Sequence, residues 1–165
     1  MVEALEGKTV TINGGDLDLT ANDDGINAAD GSSSESAPGQ ATAGVSLTIT
    51  GGKVKVNAQG DGLDSNGDLT ISGGEVYVDG PTNGGNGALD YDGNGTITGG
   101  TVVMVGSNGM AMGFGSNSKQ ASILANVSGS AGDKVTITDS SGKEILSYTA
   151  TKNFQSVLAS SAAIK

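Results

Sequence analysis

Residues 61–79 read DGLDSNGDLTISGGEVYVD, and the alternation inside that stretch decides the fold. Leu69 and Ile71 alternate with polar residues before the Gly73-Gly74 pair, and Val76 and Val78 do so after it. Period two on both sides of a tight corner describes two half-buried strands joined at an angle. The same text recurs along the chain. Gly-Gly pairs stand at Gly14-Gly15, Gly51-Gly52, Gly73-Gly74 and Gly99-Gly100, with spacings of 37, 22 and 26 residues. Two positions before each pair lies Ile12, Ile49, Ile71 or Ile97. Four before lies Val10, Leu47, Leu69 or Gly95, and between the two lies Thr11, Thr48, Thr70 or Thr96. Beyond the pairs come Leu17, Val54, Val76 and Val102, then Leu19, Val56, Val78 and Met104.

A unit of strand, corner, strand and polar loop cannot bury its one apolar face alone. Stacking equivalent residues at the sheet spacing of about 4.8 Å buries a continuous core. The expected fold is therefore all-β, a parallel β-helix or solenoid of about four rungs over residues 1–120. The polar segment Gly31 to Ala43, GSSSESAPGQATA, is read as an insertion that protrudes from the stack or is disordered. Outward positions form surface ladders, Asp16 with Lys53 and Glu75, and Asp18 with Lys55. Each ladder contact is expected to contribute about 0.5 kcal/mol. From Ala121 the pattern changes. KVTITDSSGKEILSYTA predicts two strands around a bulged turn with Gly142 in it, so residues 121–165 are expected to cap the open C-terminal end of the stack.

Composition narrows the chemistry. Of 165 residues 35% are hydrophobic, 29 are Gly and 2 are Pro, which suits a thin repetitive core with many turns. The chain has no Cys, His or Trp, and its eight Lys account for the whole Lys+Arg total of 8, so it has no Arg. Thiolate and imidazole nucleophiles, Cys/His zinc sites and arginine clamps are excluded. A net charge of -10 opposes nucleic acid and anionic membrane. No apolar run approaches the roughly 20 residues of a membrane span, and the opening MVEA does not read as an export signal. What remains as partners is hard cations and neutral or cation-bridged molecules, with no nucleic acid and no membrane insertion.

The acids fall on one edge of the repeat. Asp24-Gly25-Ile26-Asn27, Asp61-Gly62-Leu63-Asp64 and Gly87-Ala88-Leu89-Asp90 share a frame with Glu3-Ala4-Leu5-Glu6 and, without acids, with Asn108-Gly109-Met110-Ala111. With Leu5, Ile26, Leu63 and Leu89 inward, two outward ladders follow: Glu3, Asp24 and Asp61, then Glu6, Asn27, Asp64 and Asp90. Like charges about 5 Å apart repel by roughly 3 kcal/mol at an effective dielectric near 20. With no Arg present and the lysines elsewhere in the register, bound cations are the expected counter-charge. Oxygen donors alone select Ca²⁺ over softer metals. Two loops add alternate oxygen donors, Asp64-Ser65-Asn66-Gly67-Asp68 and Asp90-Tyr91-Asp92-Gly93-Asn94-Gly95. The second matches the start of an EF-hand loop but reaches Thr101 where Glu is required, and the nonapeptide β-roll pattern fails at Leu89. Sites shared between neighbouring rungs are expected, drawing on Glu3, Glu6, Asp24, Asn27, Asp61, Asp64, Asn66, Asp90 and Asp92.

With these motifs in place the chain resembles the bacterial, clostridial cell-surface type, calcium-binding β-helix domains of the carbohydrate-binding class. The stretches that carry the resemblance are TVTINGG, ANDDGINAADG, GDGLDSNGDLTISGG, GPTNGGNGALDYDG and DSSGKEILSY, spread over nearly the whole chain. The resemblance implies a right-handed helix similar in fold to pectate-type polysaccharide lyases. It also implies calcium ligation at Asp24, Asn27, Asp61, Asp64, Asp90 and Asp92, an extracellular or cell-surface location, and attachment to cellulose or acidic sugars such as pectin without cleavage.

Sugar faces usually stack rings on aromatics, and only 3% of this chain is aromatic. Tyr77 and Tyr91 are the candidates within the repeat, with Lys55 at the ladder position equivalent to Tyr77. A lyase would need a base beside the cation. Lys53 and Lys55 are the lysines among the rungs, and acids flanking them oppose the lowered pKa such a base needs, so the chain is read as non-catalytic. The alternative is a structural or adhesive fibre subunit. Glu3 to Glu6 aligns with a loop whose preceding strands are absent, which leaves an uncapped rung and an expectation of head-to-tail self-association.

Overall fold

A computed structural model describes residues 2–31, 37 and 39–165; of the insertion expected at 31–43, residues 32–36 and 38 lie outside the described residues. Strand β1 (Leu5–Gly7) comes first. Three strands follow on each of two turns, β2 (Thr9–Ile12), β3 (Asp16–Ala21) and β4 (Ile26–Ala28), then β5 (Ser46–Ile49), β6 (Lys53–Ala58) and β7 (Leu63–Ser65). Two more turns give β8 (Asp68–Ile71) with β9 (Glu75–Asp79), and β10 (Gly95–Ile97) with β11 (Thr101–Gly106). The C-terminal part supplies β12 (Ser122–Ala125), β13 (Lys134–Thr138), β14 (Glu144–Thr149) and β15 (Ser156–Ser160). The protein is all-β, and among the described residues no helix is long and apolar enough to cross a membrane.

Equivalent strands pair in parallel and in register. One sheet orders β1-β4-β7, another β10-β8-β5-β2, and a third contains β11-β9-β6-β3. The columns read from sequence are these pairings: Ile12, Ile49, Ile71 and Ile97 are successive partners, as are Thr11, Thr48, Thr70 and Thr96. Asp16, Lys53 and Glu75 also align, as do Asp18, Lys55 and Tyr77. Inward residues are sealed, with Leu47, Ile49, Leu69, Ile71, Val54, Val76 and Ile97 fully buried in one core. Each glycine of a corner has its own reason. The second has positive φ, 87° at Gly52 and 84° at Gly74, where a side chain is strained. The first lies against the preceding turn, because a Cβ on Gly73 would stand 2.3 Å from the Thr50 carbonyl oxygen.

The largest sheet departs from an all-parallel stack. Its order is β12-β15-β11-β9-β6-β3, and β15 runs antiparallel to both β11 and β12, so the sheet is mixed. The predicted hairpin forms as β13 and β14, with a register shift at Ile137/Thr138 and Gly142 at φ 85°. It does not cover the edge of the stack. That edge, β11, is covered by β15, while the hairpin lies on the outer face of the sheet in a second core. Val103, Val105, Leu146, Phe154, Val157 and Ala159 build that core. The cause is legible in Val102-Val103-Met104-Val105, an unbroken apolar run that buries both faces of β11. Buried Asp79 fastens the hairpin, accepting the Tyr148 hydroxyl at 2.5 Å and the Thr151 N–H at 3.0 Å.

Candidate functional site

The short strands β1, β4 and β7 set the acidic edge. Leu5, Ile26 and Leu63 are successive partners, and an isolated bridge continues the column from Leu63 to Leu89. Ile26, Leu63 and Leu89 are buried, which fixes the residue after each of them on the outside. Glu6, Asn27 and Asp64 therefore align as partners. Asp90 joins them, because its N–H donates to the Leu63 carbonyl at 2.8 Å and its carbonyl accepts the Ser65 N–H at 3.2 Å.

The second ladder behaves differently. The Asp61 N–H donates to Asp24 Oδ1 at 2.7 Å, and the Gly87 N–H donates to Asp61 Oδ1 at 2.6 Å. Asp24 and Asp61 in that column each clip the backbone of the next turn, so part of their charge is met by the protein itself. All the residues assigned to cation binding except Asp61 line one groove of about 870 Å³, which Tyr91 also lines. The insertion returns onto this groove, with the Gly39 N–H donating to Asp92 Oδ1 at 3.1 Å and the Thr42 N–H to the Asn66 carbonyl at 2.6 Å.

Burial and mutual repulsion raise the carboxyl pKa values here. Asp64 is pushed up to about 8, first by burial and then by the charges of Asp24, Asp61, Asp90 and Asp92. Asp61 rises to about 6 from burial, even though the Gly87 N–H pulls it down. Burial also raises Asp24 and Asp90. With Asp64 pushed up to about 8, a hard cation held there would compete with a proton. Asn27 Oδ1 is the telling atom. It is buried and accepts no hydrogen bond from the described residues, although an unmet buried acceptor costs about 1–3 kcal/mol. The donors around it are oxygens only, a set that fits Ca²⁺.

A model of the family described as carbohydrate-binding domain-containing protein matches residues 3–87. The chain belongs to that family. No curated protein and no solved structure matches it. Within this carbohydrate-binding domain the matched stretch carries Glu3, Glu6, Asp24, Asn27, Asp61 and Asp64, whereas Asp90, Tyr91 and Asp92 lie just beyond it.

Two residues assigned to sugar contact lie away from the groove. Tyr77 and Lys55 are register partners on β9 and β6, and Tyr77 stacks on Tyr148 with ring centroids 5.2 Å apart and planes 6° from parallel. One face of Tyr77 is thus occupied by the hairpin, whose approach depends on a fold contact 71 positions away in sequence that strand periodicity does not reveal. Lys53 and Lys55 also stand outside the groove, and among the described residues none that lines it is a lysine.

Sequence reasoning missed Asp23 and Asp30. Glu3, Asp23 and Asp24 bring carboxylate oxygens within 4.8 Å of one another, and Asp30 lines the groove. Both occur in ANDDGINAADG, but a frame that assigns one outward acid per loop position leaves them out.

Proposed function

We propose that this carbohydrate-binding domain holds calcium in the acidic groove and retains a cell-wall polysaccharide, cellulose or an acidic polymer such as pectin, outside the cell without cleaving it. The observation that carries this reading is Asn27 Oδ1, a buried acceptor with no hydrogen bond among the described residues, aligned between Glu6 and Asp64. Glu6, Asn27, Asp64, Asp90 and Asp92 would hold the ion, with Asp24, Asn66 and Glu3 around them. Bound calcium would supply positive charge for sugar hydroxyl or carboxylate oxygens. The chain's own residues orient the donors through the buried Ile26, Leu63 and Leu89 beneath them. The parallel stacks and their glycine corners support a winding as a parallel β-helix, and the right hand is the one that parallel crossovers take in nearly all proteins.

The test is retention on insoluble cellulose and on pectin gel, with calcium and with chelator, while reducing and unsaturated ends are assayed. Calcium-dependent retention without new ends is expected. Retention that ignores chelator would remove calcium from the reading, and unsaturated product would replace binding with lyase chemistry.

One observation favours a second role, assembly. β1, β2 and β3 are each the edge strand of their sheet, on the same side of the three stacks. Strand addition there, by another copy, would extend all three sheets at once. Sedimentation with calcium present checks it, and a monomer at high concentration would defeat it.

A further inference from the structure

The acidic groove has an apolar end. Tyr91, Met110 and Met112 line it beside Asp90 and Asp92. Met110 is 53% exposed, a large apolar side chain that the core does not account for. Its position follows from a slip in the repeat. A Cβ on Gly87 would lie 2.8 Å from the Met110 carbonyl oxygen, so Met110 sits against Gly87 and not against Leu89, as the frame Asn108-Gly109-Met110-Ala111 requires. The slip carries Met110 from the inward column onto the groove.

Tyr91 is held rigidly next to it. Its hydroxyl donates to the Gly113 carbonyl at 2.6 Å. Its ring lies over Gly95, where a Cβ would come within 2.2 Å of Cζ. Gly95 is the register partner of Leu69, so the aromatic ring covers a place where other turns carry an aliphatic side chain. An immobilised ring edge and flexible thioethers together present apolar surface at low ordering cost.

We infer that Tyr91, Met110 and Met112 form a platform for the C–H face of a pyranose ring, whose hydroxyls or carboxylate then point toward Asp90 and Asp92. Pyranose rings carry an apolar face and a polar rim, and the groove offers both along adjoining walls. This inference rests on the polysaccharide reading above and adds the residues that select among sugars. All three platform residues lie outside the stretch matched to the family.

The test uses the full chain with ¹³C-methyl methionine, saturated with calcium and titrated with cellohexaose and with hexagalacturonate. With an oligosaccharide that binds, the Met110 and Met112 methyl resonances move while that of the buried Met104 stays in place. Met110→Gln, which keeps the length of an exposed side chain, weakens that sugar by roughly threefold to tenfold and leaves calcium affinity and the melting temperature unchanged. A stationary Met110 resonance, or an M110Q affinity within about twofold of the parent, overturns the platform while leaving polysaccharide binding intact. If neither the two oligosaccharides nor the insoluble polymers bind, the polysaccharide reading fails and the platform with it.

Discussion

Asp61 and Asp64 belong to one loop, three positions apart, and meet opposite fates. Asp61 accepts the Gly87 N–H at 2.6 Å and lies outside the groove lining. Asp64 lines the groove, and its pKa is pushed higher, to about 8 against about 6 for Asp61. The intervening Leu63 is buried, so both acids emerge from the same turn, but only the first meets a backbone donor of the next turn. An acidic ladder is thus not one feature. Where the N–H of the next turn is within reach, as for Asp61, a carboxylate oxygen fastens turn to turn, whereas the Asp64 carboxylate is left facing the groove.

The largest expected effect lies on the Asp64 side. Calcium at a hundred times its dissociation constant should stabilise the domain by about 2.7 kcal/mol, read as a rise in melting temperature that chelator abolishes. Asp64→Asn with Asp90→Asn should remove most of that rise. If calcium still stabilises the double variant fully, the ladder of Glu6, Asn27, Asp64 and Asp90 is not the site.

Next in size is Asp61→Ala. It strands the Gly87 N–H and should cost about 1–3 kcal/mol in denaturant unfolding, equally with calcium and with chelator. A cost that appears only with calcium would place Asp61 among the ligands and erase the contrast.

The pH dependence sharpens the same point. The folded pKa values of Asp64 and Asp61 lie above the ordinary carboxylate value of 3.8. The folded state therefore binds more protons than the unfolded state between about pH 4 and about pH 8. Stability of the calcium-free protein is fully present at the acidic end of that window and falls as pH rises through it. Melting with chelator at about pH 5 and about pH 8.5 should show this fall, and Asp64→Asn should flatten it. An unchanged slope in the variant would assign the dependence to overall charge.

The smallest effect belongs to the outer face. Asp16→Asn with Asp18→Asn should change stability by no more than about 0.5 kcal/mol and leave the calcium response intact. Those acids align with Lys53 and Lys55, whereas the one ion pair that closes among the described residues, Lys134 to Glu144 at 3.2 Å, lies on the hairpin. A loss of calcium response in this variant would mean diffuse screening.

What the sequence by itself determined is whatever repeats locally. Alternation around Gly-Gly specifies which side chains turn inward, and equivalent residues in successive turns become partners because a one-residue slip would turn every apolar side chain outward. Hence the columns of Ile12, Ile49, Ile71 and Ile97, and of Glu6, Asn27 and Asp64, could be written down from spacing alone. Tertiary structure decided what depends on direction and on distant chain. Which carboxylate finds an N–H is a matter of how backbone donors point between turns, and Asp24 and Asp61 find one. The antiparallel β15, the stacking of Tyr148 on Tyr77 and the burial of Asp79 join segments whose separation carries no periodic mark. The slip that exposes Met110 is of the same kind. Repetition encodes the register of the stack, but where repetition ends only packing chooses the partner.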